Sequence, residues 1–173
     1  MRILISDDYM AQQKMLHENV NYGRMSEAYA PLISIIINRL SVKELLDYGC
    51  GKGRLKKVLK TIHPVEVRGY DPGVEEYSMM PEPAEMVACI DVLEHIEPEF
   101  IDNVLDDLQR VTRKLIFLTV HTGPAKKTLP DGRNAHLIQE PAEWWIKRLN
   151  TRFVPLTFTE DNHGFVALMK PAL

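Results

Sequence analysis

Short apolar segments alternate with amphipathic segments along most of this chain. Residues 43–48, 66–70, 86–90 and 115–120 are compact and largely apolar, which predicts strands covered on both faces. Between these segments, apolar residues recur every three or four positions, which predicts helices over 27–40, 53–61 and 98–113. A further short strand is expected at Tyr77–Met80, and residues 9–23 are expected to be helical in part. Such alternation is typical of a mostly parallel sheet with helices on both faces.

The last third of the chain follows a different pattern. A long loop over 121–139 leads to a helix that has Pro141 in its first turn. Two β-type segments, 152–159 and 164–170, then flank a turn at Asp161–Gly164, which predicts a hairpin and an antiparallel final strand. In doubly wound sheets of this kind, ligands bind at the carboxyl ends of the strands. Candidate site residues are therefore sought there.

Length and composition are those of one globular domain. The chain has 173 residues, of which 45% are hydrophobic, enough for a single core. We expect one domain over 1–173, with residues 1–40 forming a helical lid over a catalytic core at 41–173. No apolar run reaches the roughly 18 residues of a membrane span. Acids at Asp7 and Asp8 argue against a signal peptide, and Cys50 and Cys89 have no disulfide spacing, so we expect a cytoplasmic protein with reduced thiols.

Charge is spread unevenly along the chain. The net charge is −3, from 21 Lys and Arg against 24 Asp and Glu, which excludes a uniformly basic nucleic-acid coat. Residues 1–109 carry 11 basic and 19 acidic side chains, whereas residues 110–173 carry 10 and 5. The basic second part favours an anionic substrate, although a solvated surface explains it equally well.

Residues 45–53, Leu-Leu-Asp-Tyr-Gly-Cys-Gly-Lys-Gly, are the most informative stretch. Glycines at alternate positions allow a tight turn and a close approach of a ligand to the backbone. Asp47 would repel a pyrophosphate and attract a cationic group. Asp71 follows the second predicted strand, where it is placed to accept hydrogen bonds from ribose hydroxyls.

Three motifs in order, at the ends of successive strands, resemble the class I S-adenosylmethionine (SAM)-dependent methyltransferases. They are residues 44–53, residues 67–71 and the Asp-Val-Leu-Glu-His-Ile stretch at 91–96. The resemblance implies a Rossmann-like, doubly wound α/β fold and SAM as cofactor. More narrowly, residues 22–23, 29–32 and 129–136 resemble a compact bacterial and phage-type branch of that family, which brings no known substrate.

The resemblance also implies where the cofactor lies. The methionine part would meet the glycine loop, the ribose would meet the acid after the second strand, and the residues after the fourth family strand would line the pocket. Carried over, the cofactor-binding residues are Asp47, Tyr48, Gly49, Cys50, Gly51, Gly53, Asp71, Pro72, Asp91 and Leu93, with Tyr22 and Arg24 from the lid. The chain departs from the family between Asp71 and Met86, where there is no room for a third strand together with a full helix, so we expect that helix to be missing. The adenine-binding acid therefore has no clear counterpart; Glu82, Glu85 or packing by Met79 and Met80 are the options.

A nicotinamide dinucleotide is the alternative cofactor, since it also binds a glycine-rich turn. Here the third glycine comes one residue early for that motif, and Asp47 stands where those folds bury an apolar residue. The residues therefore favour SAM.

Three histidines are candidates for catalysis: His95, His121 and His136. Each also has a structural interpretation, as a pocket wall or a loop contact. His121 begins the long loop and is the preferred general base. The spacing of Glu94, His95 and Glu97 matches no metal-ligand pattern, so no metal site is predicted.

Two absences narrow the acceptor. No Asp/Asn-Pro-Pro-aromatic stretch and no Pro-Cys pair follows the 86–90 strand, which argues against the commonest DNA amino- and cytosine-C5-methylating enzymes. The hypothesis is methyl transfer to oxygen or nitrogen of a small-molecule or saccharide acceptor; Lys126, Lys127 and Arg133 are the residues that would hold a phosphate or carboxylate on it. A nucleotide or nucleic-acid acceptor and a non-catalytic SAM-binding subunit are the alternatives. No membrane partner is expected, and the protein is expected to be a monomer or small homo-oligomer.

Overall fold

One mixed sheet organises the part of the chain that the computed structural model describes, residues 3–17 and 24–172. Its strands are β1 (Glu44–Tyr48), β2 (Glu66–Tyr70), β3 (Ala84–Ile90), β4 (Thr112–His121), β5 (Phe153–Glu160) and β6 (Gly164–Pro171). The order across the sheet is β2-β1-β3-β4-β6-β5. Strands β1 to β4 pair in parallel, whereas β6 is antiparallel to both β4 and β5. The predicted sheet, with its antiparallel terminal hairpin, is confirmed.

Helices cover both faces of this sheet, as predicted. They are α1 (Asp7–His17), α2 (Met25–Leu40), α3 (Arg54–Val58), α4 (Ile101–Val111) and α5 (Ala142–Leu149). Successive strand residues point to opposite faces, so Leu45 packs with α2 and α3 while Leu46 packs with α4 and α5. The two buried clusters fix the sheet between its helical layers.

The strand expected at Tyr77–Met80 is wrong. A 3₁₀ turn at Glu75–Tyr77 takes its place, and residues 78–83 have no regular secondary structure. The Asp71 N–H donates to the Tyr77 carbonyl at 2.9 Å, which folds the segment back on itself. Pro81 and Pro83 have no N–H to offer a strand ladder. Strand β2 is therefore an edge of the sheet.

The helix predicted for 53–61 is also shorter than expected. It ends at Val58, and Leu59 adopts an extended conformation with ψ 138°. The Lys60 N–H donates to the hydroxyl of Ser34 at 3.0 Å, and the Lys60 carbonyl accepts from Asn38 at 3.2 Å. These bonds to α2 replace the bonds that another helical turn would make.

The carboxyl ends of four parallel strands share one edge of the sheet. Tyr48, Tyr70 and Ile90 end three of them, so the residues that follow come together in space. The same edge carries His121 at the end of β4. Residues separated by more than 70 positions in sequence thereby reach one site. Across residues 3–17 and 24–172, none of the helices has the length and apolar character that crossing a membrane requires.

Candidate functional site

The chain turns sharply after β1 at three glycines. Gly49, Gly51 and Gly53 have φ angles of 78°, 50° and 62°, a region in which residues with a Cβ are strained. A Cβ on Gly49 would also overlap the side chain of Val92. The N–H groups of Gly49 and Cys50 both donate to the Tyr70 carbonyl, at 2.7 and 3.0 Å. These bonds hold the glycine loop against the end of β2.

Asp47, in β1 just before that loop, carries a buried carboxylate with an unsatisfied oxygen. The side chain is only 4% exposed, and its Oδ2 has no hydrogen-bond partner among the described residues. Burial, and secondly the charge of Asp71, raises the pKa of the Asp47 carboxyl to about 7. A buried ionised carboxylate without a partner is costly. The position therefore suits a ligand that brings positive charge and N–H donors.

Asp71 organises the backbone around it. Its Oδ2 accepts from the Gly51 N–H and its Oδ1 from the Gly73 N–H, both at 2.9 Å. The carboxylate therefore ties the glycine loop to the turn after β2. Each carboxylate oxygen has two lone pairs, so the same group can accept further bonds from hydroxyl donors.

Asp91 follows β3 in a left-handed conformation, with φ 57°, which is uncommon for a residue other than glycine. Its N–H donates to the hydroxyl of Thr119 at 3.0 Å. The Glu94 carboxyl, which is fully buried, lies against it, and burial followed by the Asp91 charge raises the pKa of Glu94 well above its usual range. Strained residues of this kind concentrate at functional sites.

His95 and His136 are oriented by backbone carbonyls. The Nδ1 of His95 lies 2.7 Å from the Ala135 carbonyl oxygen, and the Nδ1 of His136 lies 2.6 Å from the Gly123 oxygen. Because a carbonyl oxygen only accepts, Nδ1 carries a hydrogen in both rings, and the neutral form of a ring held in this way has its lone pair on Nε2. Burial lowers the pKa of His95 to about 4, which keeps its ring neutral at pH 7.

His121 stands beside His136, with ring centroids 4.9 Å apart. Its backbone N–H donates to the Glu94 Oε1 at 2.6 Å. Its Nδ1 lies 3.1 Å from the Gly123 nitrogen and 3.2 Å from the Gly123 oxygen, and a neutral ring bonds to only one of them. In the tautomer that donates to the oxygen, Nε2 can accept a proton.

These groups line one cavity of about 620 Å³. Helix α1 and the loop that follows β4 cover it from the side away from the sheet. The Tyr9 hydroxyl donates to the His95 carbonyl at 2.6 Å, and Gln13 donates to the Tyr9 hydroxyl at 2.6 Å. Glu97 accepts from both the N–H and the hydroxyl of Ser6, at 2.8 and 2.6 Å. Helix α1 is thereby attached to the segment that carries His95.

The structure brings most of the predicted residues to the cavity. Its lining includes Arg24, Asp47, Gly49, Cys50, Gly51, Asp71, Pro72, Asp91, His95, His121 and His136. Tyr48 faces the other way and donates from its hydroxyl to Asp107 at 3.0 Å, while Leu93 is fully buried in the core. Gly53 turns the chain into α3, and a Cβ there would meet the Tyr77 hydroxyl at 2.8 Å. Tyr22 lies outside the described residues.

Two residues considered for adenine binding, Glu85 and Met79, are not among the residues that line the cavity, whereas two of the basic residues considered for the acceptor are. Glu85 forms an ion pair with Lys114 at 2.7 Å and accepts from the Lys43 N–H, at the end of the sheet opposite the cavity. Met79 is 84% exposed. Lys126 and Lys127 line the mouth of the cavity. Arg133 instead pairs with Asp131 at 2.7 Å, in a bond that lowers the pKa of Asp131.

Sequence reasoning missed how closely Asp91, His95 and His136 approach one another. One ligand atom from each lies within 4.8 Å of the others. The expectation of no metal site relied on spacing along the chain, and 40 residues separate the two histidines. Gln13 was also missed, because nothing in the weakly patterned segment around it marks its contact with Tyr9.

Comparison with known proteins adds a fold relationship. No protein-family model and no curated protein matches the chain. A Burkholderia thailandensis 1,6-didemethyltoxoflavin-N1-methyltransferase, solved with bound 1,6-didemethyltoxoflavin and S-adenosylhomocysteine, superposes with a TM-score of 0.68 at 14% identity, covering 100% of this chain and 93% of that one. The magnesium protoporphyrin IX methyltransferase of Synechocystis, solved with SAM, gives 0.63 at 13% identity over 99% and 100%. The small RNA methyltransferase HEN1 gives 0.61 at 12% identity over 86% of this chain and 25% of that one.

The chain has the class I SAM-dependent methyltransferase fold. At identities of 12–14%, the likeness extends to the fold and no further. Within this class I fold, the cavity lies at the carboxyl ends of β1 to β4, where ligands of doubly wound sheets bind.

Proposed function

We propose that this protein is a SAM-dependent methyltransferase that acts on oxygen or nitrogen of a small-molecule acceptor. The single observation that carries the proposal is the buried carboxylate of Asp47 at the head of the glycine loop, whose Oδ2 has no hydrogen-bond partner in the described part of the chain. A SAM ammonium group would satisfy that oxygen with a charge-assisted hydrogen bond. A diphosphate at the same place would add negative charge beside Asp47 and Asp71, which disfavours a dinucleotide.

Cofactor and acceptor would occupy two ends of the cavity. The aminoacyl group would lie at Asp47 and the glycine loop, and the ribose hydroxyls would bond to Asp71. Asp91 and the histidines line the remaining space, where the methyl group would face the acceptor. Helix α1, packed through Tyr9, would exclude water from this space, in the lid role expected of residues 1–40 within one domain.

The chemistry is a direct displacement, so alignment of acceptor, methyl carbon and sulfur is the main requirement. SAM, held by Asp47, the glycine loop and Asp71, would supply the methyl group: its carbon would bond to the acceptor lone pair as the carbon–sulfur bond breaks, which would leave S-adenosylhomocysteine. His121, which lines the same cavity, would take the proton that the acceptor loses. Lys126 and Lys127 at the mouth favour an acceptor that carries a phosphate or carboxylate.

A nucleotide or nucleic-acid acceptor is the second candidate, favoured by the same two lysines and the basic second part of the chain. Retention on polynucleotide at moderate salt, with a steep loss as salt rises, would promote it over a metabolite. No retention would demote it.

The experiment that tests the proposal is calorimetric titration of the purified protein with SAM, S-adenosylhomocysteine and NAD. We expect saturable binding of the first two and none of NAD. Production of S-adenosylhomocysteine is then followed over a panel of metabolites, which separates an enzyme from a SAM-binding subunit. Binding of NAD without SAM would overturn the proposal.

A matched carboxylate serves as the control. Glu66 begins β2 at the end of the sheet away from the cavity and is exposed. The Glu66→Gln variant is expected to bind S-adenosylhomocysteine as the unmodified protein does, while Asp47→Asn is expected to bind it more weakly. Equal weakening in both variants would contradict a specific role for Asp47.

A further inference from the structure

Three side chains from separate segments converge on one wall of the cavity with the donor atoms of a metal site. Asp91 follows β3, His95 closes the 3₁₀ turn after it, and His136 comes from the long loop after β4. One ligand atom from each lies within 4.8 Å of the others. At metal bond lengths of roughly 2.0–2.2 Å, ligand atoms sit about 3–4 Å apart, so an ion requires side-chain shifts of about 1 Å.

The two imidazoles are already held as metal ligands are. Metal-binding histidines almost always donate the other ring N–H to a carbonyl or carboxylate, which fixes the tautomer and the ring orientation. Here the Ala135 carbonyl holds Nδ1 of His95 at 2.7 Å, and the Gly123 carbonyl holds Nδ1 of His136 at 2.6 Å. Both arrangements place the coordinating lone pair on Nε2. The ring centroids are 4.8 Å apart, close to perpendicular at 84°.

The third ligand, Asp91, has a second carboxyl group, that of Glu94, beside it. Asp91 is turned into the cavity by its left-handed backbone, and Thr119 holds its N–H. Glu94 is fully buried beside it, with one oxygen on the His121 N–H at 2.6 Å. The Asp91 carboxylate brings negative charge to the position that an ion would occupy, and the Glu94 carboxyl lies directly beside it.

We propose that Asp91, His95 and His136 bind a divalent first-row transition ion at the acceptor end of the cavity. Two imidazoles and a carboxylate suit such ions, whereas calcium takes six to eight oxygens. Three protein ligands leave coordination positions open towards the cavity.

The role of the ion deepens the proposed function and depends on it. An acceptor that presents an oxygen, such as a hydroxyl with a neighbouring carbonyl or carboxylate, would fill the open positions and be held beside the methyl group. Coordination lowers the pKa of a bound hydroxyl, so its proton leaves more readily to His121 or solvent before the oxygen attacks the methyl carbon. The acceptor class is therefore an oxygen chelator.

The test uses Co²⁺ alone, without cofactor or acceptor. The protein is treated with a chelator, dialysed and titrated while visible absorption and heat are recorded. We expect one Co²⁺ per chain and a change in the Co²⁺ absorption on binding. His136→Gln keeps an N–H for Gly123 but lacks the imidazole ligand, and it should weaken binding more than the roughly 10–100-fold that loss of an outer-shell partner causes.

His163→Gln is the matched control. The His163 ring is the next imidazole beyond His121, and the two ring centroids are 6.1 Å apart. His163 is outside the set of three ligands. We expect its Co²⁺ affinity to equal that of the unmodified protein. Asp91→Asn gives a second ligand variant, since asparagine tolerates the left-handed backbone. Absence of saturable Co²⁺ binding, or equal affinity in all four proteins, would overturn the proposal.

Titration with S-adenosylhomocysteine separates this proposal from the previous one and shows that His136→Gln is folded. If that ligand binds and Co²⁺ does not, the metal site is wrong and the methyltransferase proposal stands. Co²⁺ binding that depends on His136, in a protein that does not bind S-adenosylhomocysteine, would support the metal site and remove the methyltransferase role.

Discussion

The two ends of the cavity are built in different ways. The end we assign to the cofactor consists of β1, its glycine loop and the acid after β2, which are neighbouring strands with a paired register. The end we assign to the acceptor gathers Asp91, His95, His121 and His136 from the ends of β3 and β4 and from a long loop. The first end is determined by short stretches of sequence. The second exists only once the sheet has formed.

From this difference we expect one end of the cavity to determine cofactor binding and the other end to determine the rate of methyl transfer. Substitutions at the glycine-loop end should change cofactor affinity and the stability of β1 and β2. Substitutions at the histidine end should leave cofactor affinity intact and change turnover.

Replacing Asp71 by alanine should have the largest effect on cofactor binding. The side chain accepts from the N–H groups of Gly51 and Gly73, and both bonds would be lost together with the proposed ribose contacts. At about 1.5–3 kcal/mol for each of two ribose hydrogen bonds to a charged group, affinity for S-adenosylhomocysteine should fall about 10²–10⁴-fold. Calorimetry measures it, with Glu66→Gln as the control. Affinity within a factor of three of the unmodified protein would contradict the role of Asp71.

Replacing His121 by alanine should slow turnover and spare cofactor binding. Loss of a general base typically costs about 10²–10⁴-fold in rate, and we expect kcat to fall by at least about 10²-fold. The rate of S-adenosylhomocysteine formation is measured on the acceptor that the panel identifies. The control is His163→Ala, an exposed histidine next in the row. Unchanged turnover in His121→Ala would exclude it as the base.

Two glycines with positive φ allow the stability cost of backbone strain to be measured separately from the cost of steric overlap. Gly49, at φ 78°, would place a Cβ into Val92, whereas at Gly132, with φ 89°, no atom of the described residues lies within 4 Å of that position. Gly132→Ala should lower the free energy of unfolding by about 1 kcal/mol, the cost of the left-handed conformation. Gly49→Ala should lower it by about 3 kcal/mol, because the overlap adds to that cost. Denaturant unfolding measures both; equal losses would show that Val92 relaxes freely.

The pH dependence of stability reports on Asp47. Its folded pKa of about 7 lies above the usual unfolded value of about 3.9, so between these values the folded state holds a proton that the unfolded state has lost. The stabilisation that this group provides is therefore present at low pH and is lost as pH rises through 7. The free energy of unfolding should fall by about 2 kcal/mol between pH 5 and 7 for this reason. Without ligand, the Asp47→Asn variant should lack this part of the dependence of the free energy of unfolding on pH, as measured by denaturant unfolding. An identical slope in both proteins would contradict the raised pKa.

Much of the fold could be predicted because its elements are locally encoded. The apolar run at 86–90 and the turn at Asp161–Gly164 specify a buried strand and a hairpin through their own residues. The strand expected at Tyr77–Met80 failed because its polar groups bond within a turn, which an apolar pattern does not reveal. The end of α3 at Val58 depends on Ser34 and Asn38 of another helix.

In the site, too, only the residues whose positions depend on local sequence could be predicted. Asp47 and Asp71 could be singled out because each occupies a fixed place beside a glycine turn or a strand end. The contact between His95 and His136 could not, because 40 residues separate them and the loop that brings His136 back carries no ligand spacing. The hydroxyl of Tyr48 points to Asp107 because strand residues alternate between faces, and Tyr48 takes the face opposite Asp47.

The central claim is that the buried carboxylate of Asp47 receives a cationic amino group. The most direct measurement compares the affinities for S-adenosylhomocysteine and for 5′-methylthioadenosine, which lacks the aminoacyl part, in the unmodified protein and in Asp47→Asn. We predict that the unmodified protein prefers S-adenosylhomocysteine strongly and that Asp47→Asn loses at least about tenfold of this preference, or about 1.4 kcal/mol of coupling. The same preference ratio in both proteins would contradict the claim.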